Sequence, residues 1–267
     1  MYSITQQEQD MQQREALLLG QEAMDRLHSM RVIVFGVGGV GSWCAEALVR
    51  SGIRHITIVD SDRVCVTNCN RQLMAIPANI GRVKVEAMRE RLLALNPACE
   101  VTALEMRYSP ETAESFHLER FDAVVDAIDS LECKAHLMLH ATRLSKAIDR
   151  GELQGEGIAK KLTLVSSMGA ALRLDPFSVR QGEFWSIKGD ALARALRNKF
   201  KKWEQYPAKK FRCVYSEEPA MRNLGDQHPV ELLEGVKKTQ INGSVVQITA
   251  VFGMAIASII INEACRQ

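Results

Sequence analysis

The sequence predicts an α/β fold on a doubly wound, mostly parallel sheet, and three observations carry that prediction. A short β-branched run, RVIVF from Arg31, leads through a glycine-rich turn into a helical pattern that ends at Gly52. A second apolar run, HITIVDSD from His55, follows that helix directly and completes a β-α-β crossover. Beyond it strand-like and helix-like segments keep alternating, a pattern that requires helices on both sheet faces.

The remaining elements follow in order. A polar loop runs from Arg63 to Ile80, and a helix is expected from Gly81 to Leu95, closed by Asn96-Pro97. EVTALEM from Glu100 reads as a third strand, Pro110 to Leu118 as a helical segment, and FDAVVDAIDS from Phe121 as a fourth strand. A helix over Leu131 to Ala147 precedes a polar, glycine-containing loop from Asp149 to Lys161. KLTLVSSMGA from Lys161 is a strand, Trp185 to Arg212 a helical segment with a basic middle, FRCVYSEEP from Phe211 a strand with a turn, and Met221 to Asn242 a polar loop. The apolar run from Val245 to Ile261 reads as a buried core helix and not a membrane span, because Gln247, Thr249 and Ser258 interrupt it and Gly253 lies inside. No repeat or linker divides the chain, so the second half is expected to extend the same sheet. Residues 13–150 and residues 151–267 are then two halves of one domain.

Composition narrows the class. The 267 residues are 46% hydrophobic and 25% charged, near the globular average, and a net charge of +2 names no partner. Seven cysteines without a CxxC pair argue against a disulfide framework or a four-cysteine zinc site, and for a reducing cytoplasm. The opening MYSITQQEQDMQQRE lacks the basic and then apolar pattern of a secretory signal.

Gly36-x-Gly38-Gly39-x-Gly41 stands between strand and helix, where glycines let the backbone approach a phosphate and the helix N-terminus faces its charge. Asp60, at the end of the next strand, is where a Rossmann-like site places an acid to accept hydrogen bonds from ribose hydroxyls. A dinucleotide and ATP both fit these features, and an NAD-dependent dehydrogenase stays open. The following residues favour ATP: Asp62, then Asn68-x-x-Arg71-Gln72, then Gly81-x-x-Lys84. Two cations and an amide beside the turn suit a triphosphate and its leaving pyrophosphate. Asp126-x-x-Asp129 puts two carboxylates at the carboxyl edge of the sheet, with Asp129 placed for Mg²⁺.

Elsewhere the signals are weaker. Cys213 is a candidate nucleophile that reads more naturally as a buried strand residue. His136 and His140 share a helix face without a third ligand. The segment from Lys188 to Arg212 is dense in cations, with Trp185, Phe200, Trp203, Tyr206 and Phe211 interleaved. Such a stripe suits an RNA backbone and an unstacked base, or else a solvated amphipathic helix with aromatics in the core.

VFGVGGVGSWCAEALVRSG, IVDSDRVCVTNCNRQ, GRVKVEAM and DAIDS resemble the ubiquitin-activating-like adenylyltransferase superfamily over roughly Gln13 to Ser130. The resemblance implies that Asp60 binds ribose, that Asn68, Arg71 and Lys84 meet phosphates, and that Asp129 holds magnesium, with a monovalent cation as a further candidate cofactor. It also implies that Arg14 reaches the nucleotide, from the partner subunit where members are homodimers. SSMGAALRLDP, GDALARALRNKFKK and CVYSEEP resemble the threonylcarbamoyladenosine dehydratase branch, which adenylates a carboxylate on a modified tRNA adenosine and closes a ring with loss of AMP. Two departures stand out: the loop from Asp149 to Lys161 looks longer than that branch's, and no cysteine lies between Met221 and Gly243. The alternatives within the superfamily are adenylation of the C-terminal glycine of a ubiquitin-like sulfur carrier, disfavoured by the missing zinc cysteines, and a silent scaffold for a sulfur-transfer partner.

Overall fold

The computed structural model describes residues 4–225 and 242–266. Its centre is a seven-stranded sheet of order β3-β2-β1-β4-β5-β7-β6, made of β1 (Arg31–Phe35), β2 (His55–Val59), β3 (Glu100–Leu104), β4 (Ala123–Asp126), β5 (Thr163–Ser167), β6 (Val179–Glu183) and β7 (Arg212–Ser216). Every pairing is parallel except the edge pair of β6 with β7. The central strands β1 and β4 are apolar between Arg31 at one end and Asp126 at the other, as strands covered on both faces must be, and Val32 to Phe35 and Ala123 to Val125 are buried.

Eight helices surround it among the described residues: α1 (Ile4–Met11), α2 (Gln13–Leu19), α3 (Gln21–Ser29), α4 (Gly41–Arg50), α5 (Lys84–Leu95), α6 (Leu131–Asp149), α7 (Ala191–Trp203) and α8 (Val246–Arg266). One core unites α3, α4, α5 and α8 on one face, with Leu48, Ile56, Met88 and Phe252 at its heart. The other gathers α6, α7 and the β3–β4 connection around Phe35, Phe116, Phe184 and Phe200. Two layers of helix over one sheet, with strand order reversing beside β1, is the doubly wound arrangement expected from the sequence.

Three details differ from expectation. The stretch from Pro110 to Leu118 forms short 3₁₀ turns, Ala113–Phe116 and Leu118–Arg120, because Phe116 and Leu118 must both turn inward within three residues and no amphipathic period connects them. The basic helix is shorter than Trp185 to Arg212, starting where Asp190 accepts a hydrogen bond from the Ala193 N–H (2.8 Å) and stopping at Glu204 in a left-handed conformation. Strand β6 and the helices before β1 are not among the expected elements, although α3 buries Ala23, Met24 and Leu27 along one face. The expected loop from Met221 to Asn242 lies mostly outside the described residues.

The run expected to be a core helix is α8, which packs chiefly on α4 and also meets α3, β5 and β7. By length and composition it could cross a membrane, yet half of its most apolar window is buried within the fold. Gly253 permits this packing: a Cβ there would lie 2.6 Å from the Val40 carbonyl oxygen and 2.8 Å from the Cys44 nitrogen. Gly253→Ala should therefore cost about 1–3 kcal/mol of stability by overpacking. Urea unfolding measures this, and an unchanged midpoint would show that the two helices are not in rigid contact.

Candidate active site

The chain leaves β1 at the point where the sheet's connections diverge, one toward β2 and the other toward β4, so a crevice opens at the carboxyl ends of the strands. Gly36 turns the chain there with φ of +86°, donating to the Val59 carbonyl at 2.8 Å, and a Cβ on it would stand 2.6 Å from the Ala127 carbonyl oxygen. A Cβ on Gly41 would collide with the Gly36 carbonyl, so the first residue of α4 can fold back over the turn only as glycine. The N–H of Val37 donates to Asp60 Oδ2 (2.9 Å), while those of Gly38, Gly39 and Val40 have no hydrogen-bond partner among the described residues. Three N–H groups at a helix N-terminus, with only the Gln72 amide nitrogen, at 3.8 Å, near where a Cβ on Gly38 would stand, make a cradle for a phosphate.

Asp60 closes one side. Its other oxygen accepts the Asp62 N–H at 2.9 Å, and each oxygen keeps a lone pair for a sugar hydroxyl. Burial pushes this carboxyl above its ordinary pKa, against the pull of Lys84 and of the two N–H donors. Lys84 opens α5 with its side chain almost wholly buried, and its Nζ donates to Asp62 Oδ2 at 2.8 Å. Ammonium charge at a helix N-terminus opposes the helix dipole, so the exposed Asp62 carboxylate supplies the compensation.

The expected phosphate-binding loop is folded against the turn. Asn68 ends a 3₁₀ turn and accepts the Cys65 N–H through Oδ1 (3.1 Å). Arg71 stretches along the turn, its Cγ 3.3 Å from where a Cβ on Gly39 would be, and donates through Nη1 to the Thr67 carbonyl and Asn70 Oδ1, both at 2.9 Å. Burial lowers the pKa of its guanidinium. Gln72 lies buried beside Gly38, with its amide oxygen unpartnered among the described residues. An orphaned buried acceptor costs about 1–3 kcal/mol, and a bound group offering a donor would relieve it. Two residues not singled out from the sequence bind loop to turn: Ser42 donates to the Gly38 carbonyl (2.7 Å) and accepts the Leu73 N–H (3.2 Å), and Trp43 Nε1 donates to the Arg71 carbonyl (3.0 Å).

Asp126 needs correction as a nucleotide contact. It is fully buried, and its oxygens are taken by Lys134 Nζ (2.9 Å), the Ile128 N–H (3.2 Å) and Ser166 Oγ (2.7 Å). Lys134 is equally buried and also donates to the Ile128 carbonyl at 3.1 Å. The pair thus fixes the loop after β4, and on that loop Asp129 stands exposed at the carboxyl edge. The sequence hinted at this: a lysine in the first turn of a helix opposes the helix dipole unless a nearby acid holds it.

Arg14 does not join the group within one chain. It is exposed in the first turn of α2, near Gln12, whose Oε1 lies 2.8 Å from His28 Nε2 just ahead of β1. Glu8, on α1, grips Arg54 (2.9 and 2.7 Å) and Asn96 (3.0 Å), which precede β2 and β3. The N-terminal helices therefore sit at the amino edge, about 17 Å of strand away from the turn.

The remaining candidates resolve as follows. Cys213 is buried in β7 and burial drives its thiol pKa far up, which suits a packing residue and not a nucleophile. His136 and His140 flank the Tyr108 hydroxyl, each Nδ1 at 3.1 Å, and burial lowers the pKa of both. No cluster of three metal-ligating side chains occurs among the described residues. A magnesium ion at Asp129 would need oxygens from the nucleotide, which is the usual way Mg²⁺ is held. The basic segment divides. Arg197 is internal, donating to the Ile187 carbonyl (2.7 Å), Lys199 pairs with Glu132 (3.9 Å) and covers Trp203, and Lys209 pairs with Asp149, while Phe200 and Phe211 are core.

Removing Lys134 leaves a buried carboxylate unpaired, so Lys134→Ala should cost about 3–5 kcal/mol. Thermal or urea unfolding checks this, and a loss under about 1 kcal/mol would mean that the pair is open to water.

Comparison with known proteins agrees with this geometry. The chain is 36% identical to tRNA threonylcarbamoyladenosine dehydratase of Bacillus subtilis, over 84% of its own length and 78% of that protein. It is 31% identical to the Haemophilus influenzae protein of the same name, over 92% of the chain and 90% of the relative. Crystal structures of the Escherichia coli tRNA N6-threonylcarbamoyladenosine dehydratase superpose with TM-scores of 0.81 for the AMP complex and 0.78 for the ATP complex, at 30% and 29% identity. The first pair covers both chains completely, and the second covers 98% of this chain and 97% of the other. The ThiF family model matches residues 12–266, and the chain belongs to the ThiF family.

Proposed function

We propose that the chain is an ATP-dependent threonylcarbamoyladenosine dehydratase acting on tRNA. The observation that carries this reading is the assembly at one sheet edge of the phosphate cradle, Asp60, Lys84 and Arg71, on a chain alike over nearly its full length to proteins bearing that name. In the first step a carboxylate oxygen of the modified nucleoside attacks the α-phosphorus of ATP and the bond to pyrophosphate breaks. In the second, an atom of the neighbouring carbamoyl group attacks the acyl carbon and AMP leaves, so the nucleoside loses one water overall. Both partners of that second step belong to one molecule, which gives a high effective concentration without a protein nucleophile.

The side chains divide the work. Asp60 accepts the ribose hydroxyls, the N–H groups of Gly38, Gly39 and Val40 receive phosphate oxygens, and Asn68 and Gln72 border them. Lys84 and Arg71 neutralise the triphosphate and stabilise departing pyrophosphate, with Lys84 exchanging its Asp62 partner for phosphate. Asp129 would hold Mg²⁺, whose charge offsets that of the phosphates. Asp126 positions Asp129 through the loop between them. The exposed cations of the segment from Lys188 to Arg212, Lys188, Lys201 and Lys202 among them, hold the tRNA. All seven cysteines are free, in keeping with a reducing cytoplasm.

The place of Arg14 supports a homodimer. Beside it on α2, Leu17 and Leu18 are 81% and 83% exposed. A partner subunit that covered them would carry its own Arg14 toward the nucleotide, which the arginine cannot reach in cis.

Lys84→Ala and Asp129→Ala should each lower pyrophosphate exchange about a hundredfold with the fold intact. Near-normal turnover at saturating ATP in either variant removes that residue from the site. Light scattering should give about twice 29.8 kDa, whereas a fully active monomer would return Arg14 to a surface role. The substrate is tested directly: threonylcarbamoyladenosine-bearing tRNA with ATP and Mg²⁺ should yield a nucleoside lighter by one water. Pyrophosphate exchange seen only with a small protein ending in Gly-Gly would assign sulfur-carrier activation instead.

A further inference from the structure

The basic segment contains an arrangement that its charge alone does not explain. With Arg197, Lys199 and Lys209 engaged internally, two aromatic side chains still face outward. Trp185, just ahead of α7, is 39% exposed, and Tyr206, just beyond it, is 57% exposed, with ring centroids 6.2 Å apart. Phe200 backs Trp185 at 6.3 Å and is itself fully buried, so the outer ring rests on a fixed core residue. Lys188 follows Trp185 by three residues, and Lys201 and Lys202 share the last turn of α7 with Phe200; all three are exposed. Neither the Trp185 indole N–H nor the Tyr206 hydroxyl has a hydrogen-bond partner among the described residues.

Two neighbouring aromatic rings left in water, on a rigid base and flanked by lysines, match what single-stranded RNA requires. Bases stack on aromatic faces whatever their identity, while cations follow the backbone. An acidic polypeptide would meet the lysines and offer the rings no planar partner. We propose that Trp185 and Tyr206 form a stacking shelf for an unpaired base of the RNA substrate, with Lys188, Lys201 and Lys202 holding the adjoining phosphates. This inference rests on the RNA-substrate reading above. Lys199, one residue before Phe200, pairs with Glu132, three residues from Asp129, and so ties α7 to the first turn of α6.

The test compares wild type with Tyr206→Ala, Trp185→Ala, Trp185→Phe and the pair Lys201→Glu with Lys202→Glu. Measured are ATP affinity, kcat and KM for threonylcarbamoyladenosine-bearing tRNA, and binding of an unstructured oligoribonucleotide and of polyglutamate. Loss of one stacked base should raise the KM for tRNA at least about fivefold in Tyr206→Ala and Trp185→Ala, with kcat and ATP affinity unchanged. Trp185→Phe keeps a ring and should restore most of the affinity, which a merely disturbed core would not do. The lysine pair should lower the slope of log affinity against log salt by about 0.7 for each lost phosphate contact. If wild type dehydrates the tRNA while both alanine variants keep its KM, the shelf is refuted and the dehydratase reading stands. If wild type does not dehydrate the tRNA, yet both alanine variants lose oligoribonucleotide binding, the shelf stands and the dehydratase reading falls. Equal losses toward polyglutamate and RNA would also overturn the shelf.

Discussion

The architecture of the nucleotide edge depends on one buried ion pair, Asp126 with Lys134. Two opposite charges held out of water contribute little net stability, but breaking them apart is expensive, so the geometry that satisfies both is enforced. Here that geometry fixes a loop. Lys134 holds the Ile128 carbonyl, Asp126 holds the Ile128 N–H and the Ser166 hydroxyl of β5, and Ala127 donates to the Phe35 carbonyl at 2.9 Å. The Ala127 carbonyl in turn sits against Gly36, which leaves room for nothing but hydrogen at that Cα. Thus the ion pair, the glycine turn and the loop carrying Asp129 form one connected assembly. A phosphate cradle must be rigid before ligand arrives, because every group that is ordered on binding subtracts from affinity.

A second layer of the same logic concerns charge storage. The buried Lys84 ammonium is compensated by Asp62, a carboxylate that is itself largely exposed. An exposed partner gives up its contact at little cost, since water takes over its hydration. Lys84 is therefore held in place yet open to exchange. Asp60 contrasts with Asp62: its oxygens are bound to backbone N–H groups on both sides, which locks its orientation toward the crevice. Neighbouring acids two residues apart thus serve different ends, one as a fixed acceptor and the other as a replaceable counter-ion.

Much of this was legible in the sequence, and the exceptions are instructive. The glycine turn, Asp60 and Lys84 could be placed because each belongs to a local pattern at the end of a strand or the start of a helix, where spacing determines position. Asp126 was misplaced because two carboxylates at one strand end look alike in sequence. Only the location of Lys134, a turn into the next helix and underneath the sheet edge, separates the buried acid from the exposed one. Ser42 and Trp43 escaped notice for a similar reason, since their partners at Gly38, Arg71 and Leu73 are fixed by the folding of the loop over α4 and not by any period. The segment from Pro110 to Leu118 contained helix-forming residues, but its tertiary task of sending Phe116 and Leu118 into the aromatic core overrode that propensity.

The two faces of the sheet also carry different responsibilities. On one, α8 packs against α4 so closely that Gly253 abuts the turn before α4, and Thr249 lies 3.1 Å from where a Cβ on Gly39 would be. Any movement of α8 is therefore felt at the phosphate cradle. On the other, α7 and α6 share the phenylalanine core, and Lys199 meets Glu132 within the first turn of α6. The basic helix and the Asp129 loop are consequently parts of one packed unit, so a macromolecule gripped by α7 is held at a set distance from the catalytic edge. Positioning accounts for much of the rate that an intramolecular ring closure requires. A fold that packs the glycine turn against α8 on one face and ties α7 to the Asp129 loop on the other sets both ends of that distance.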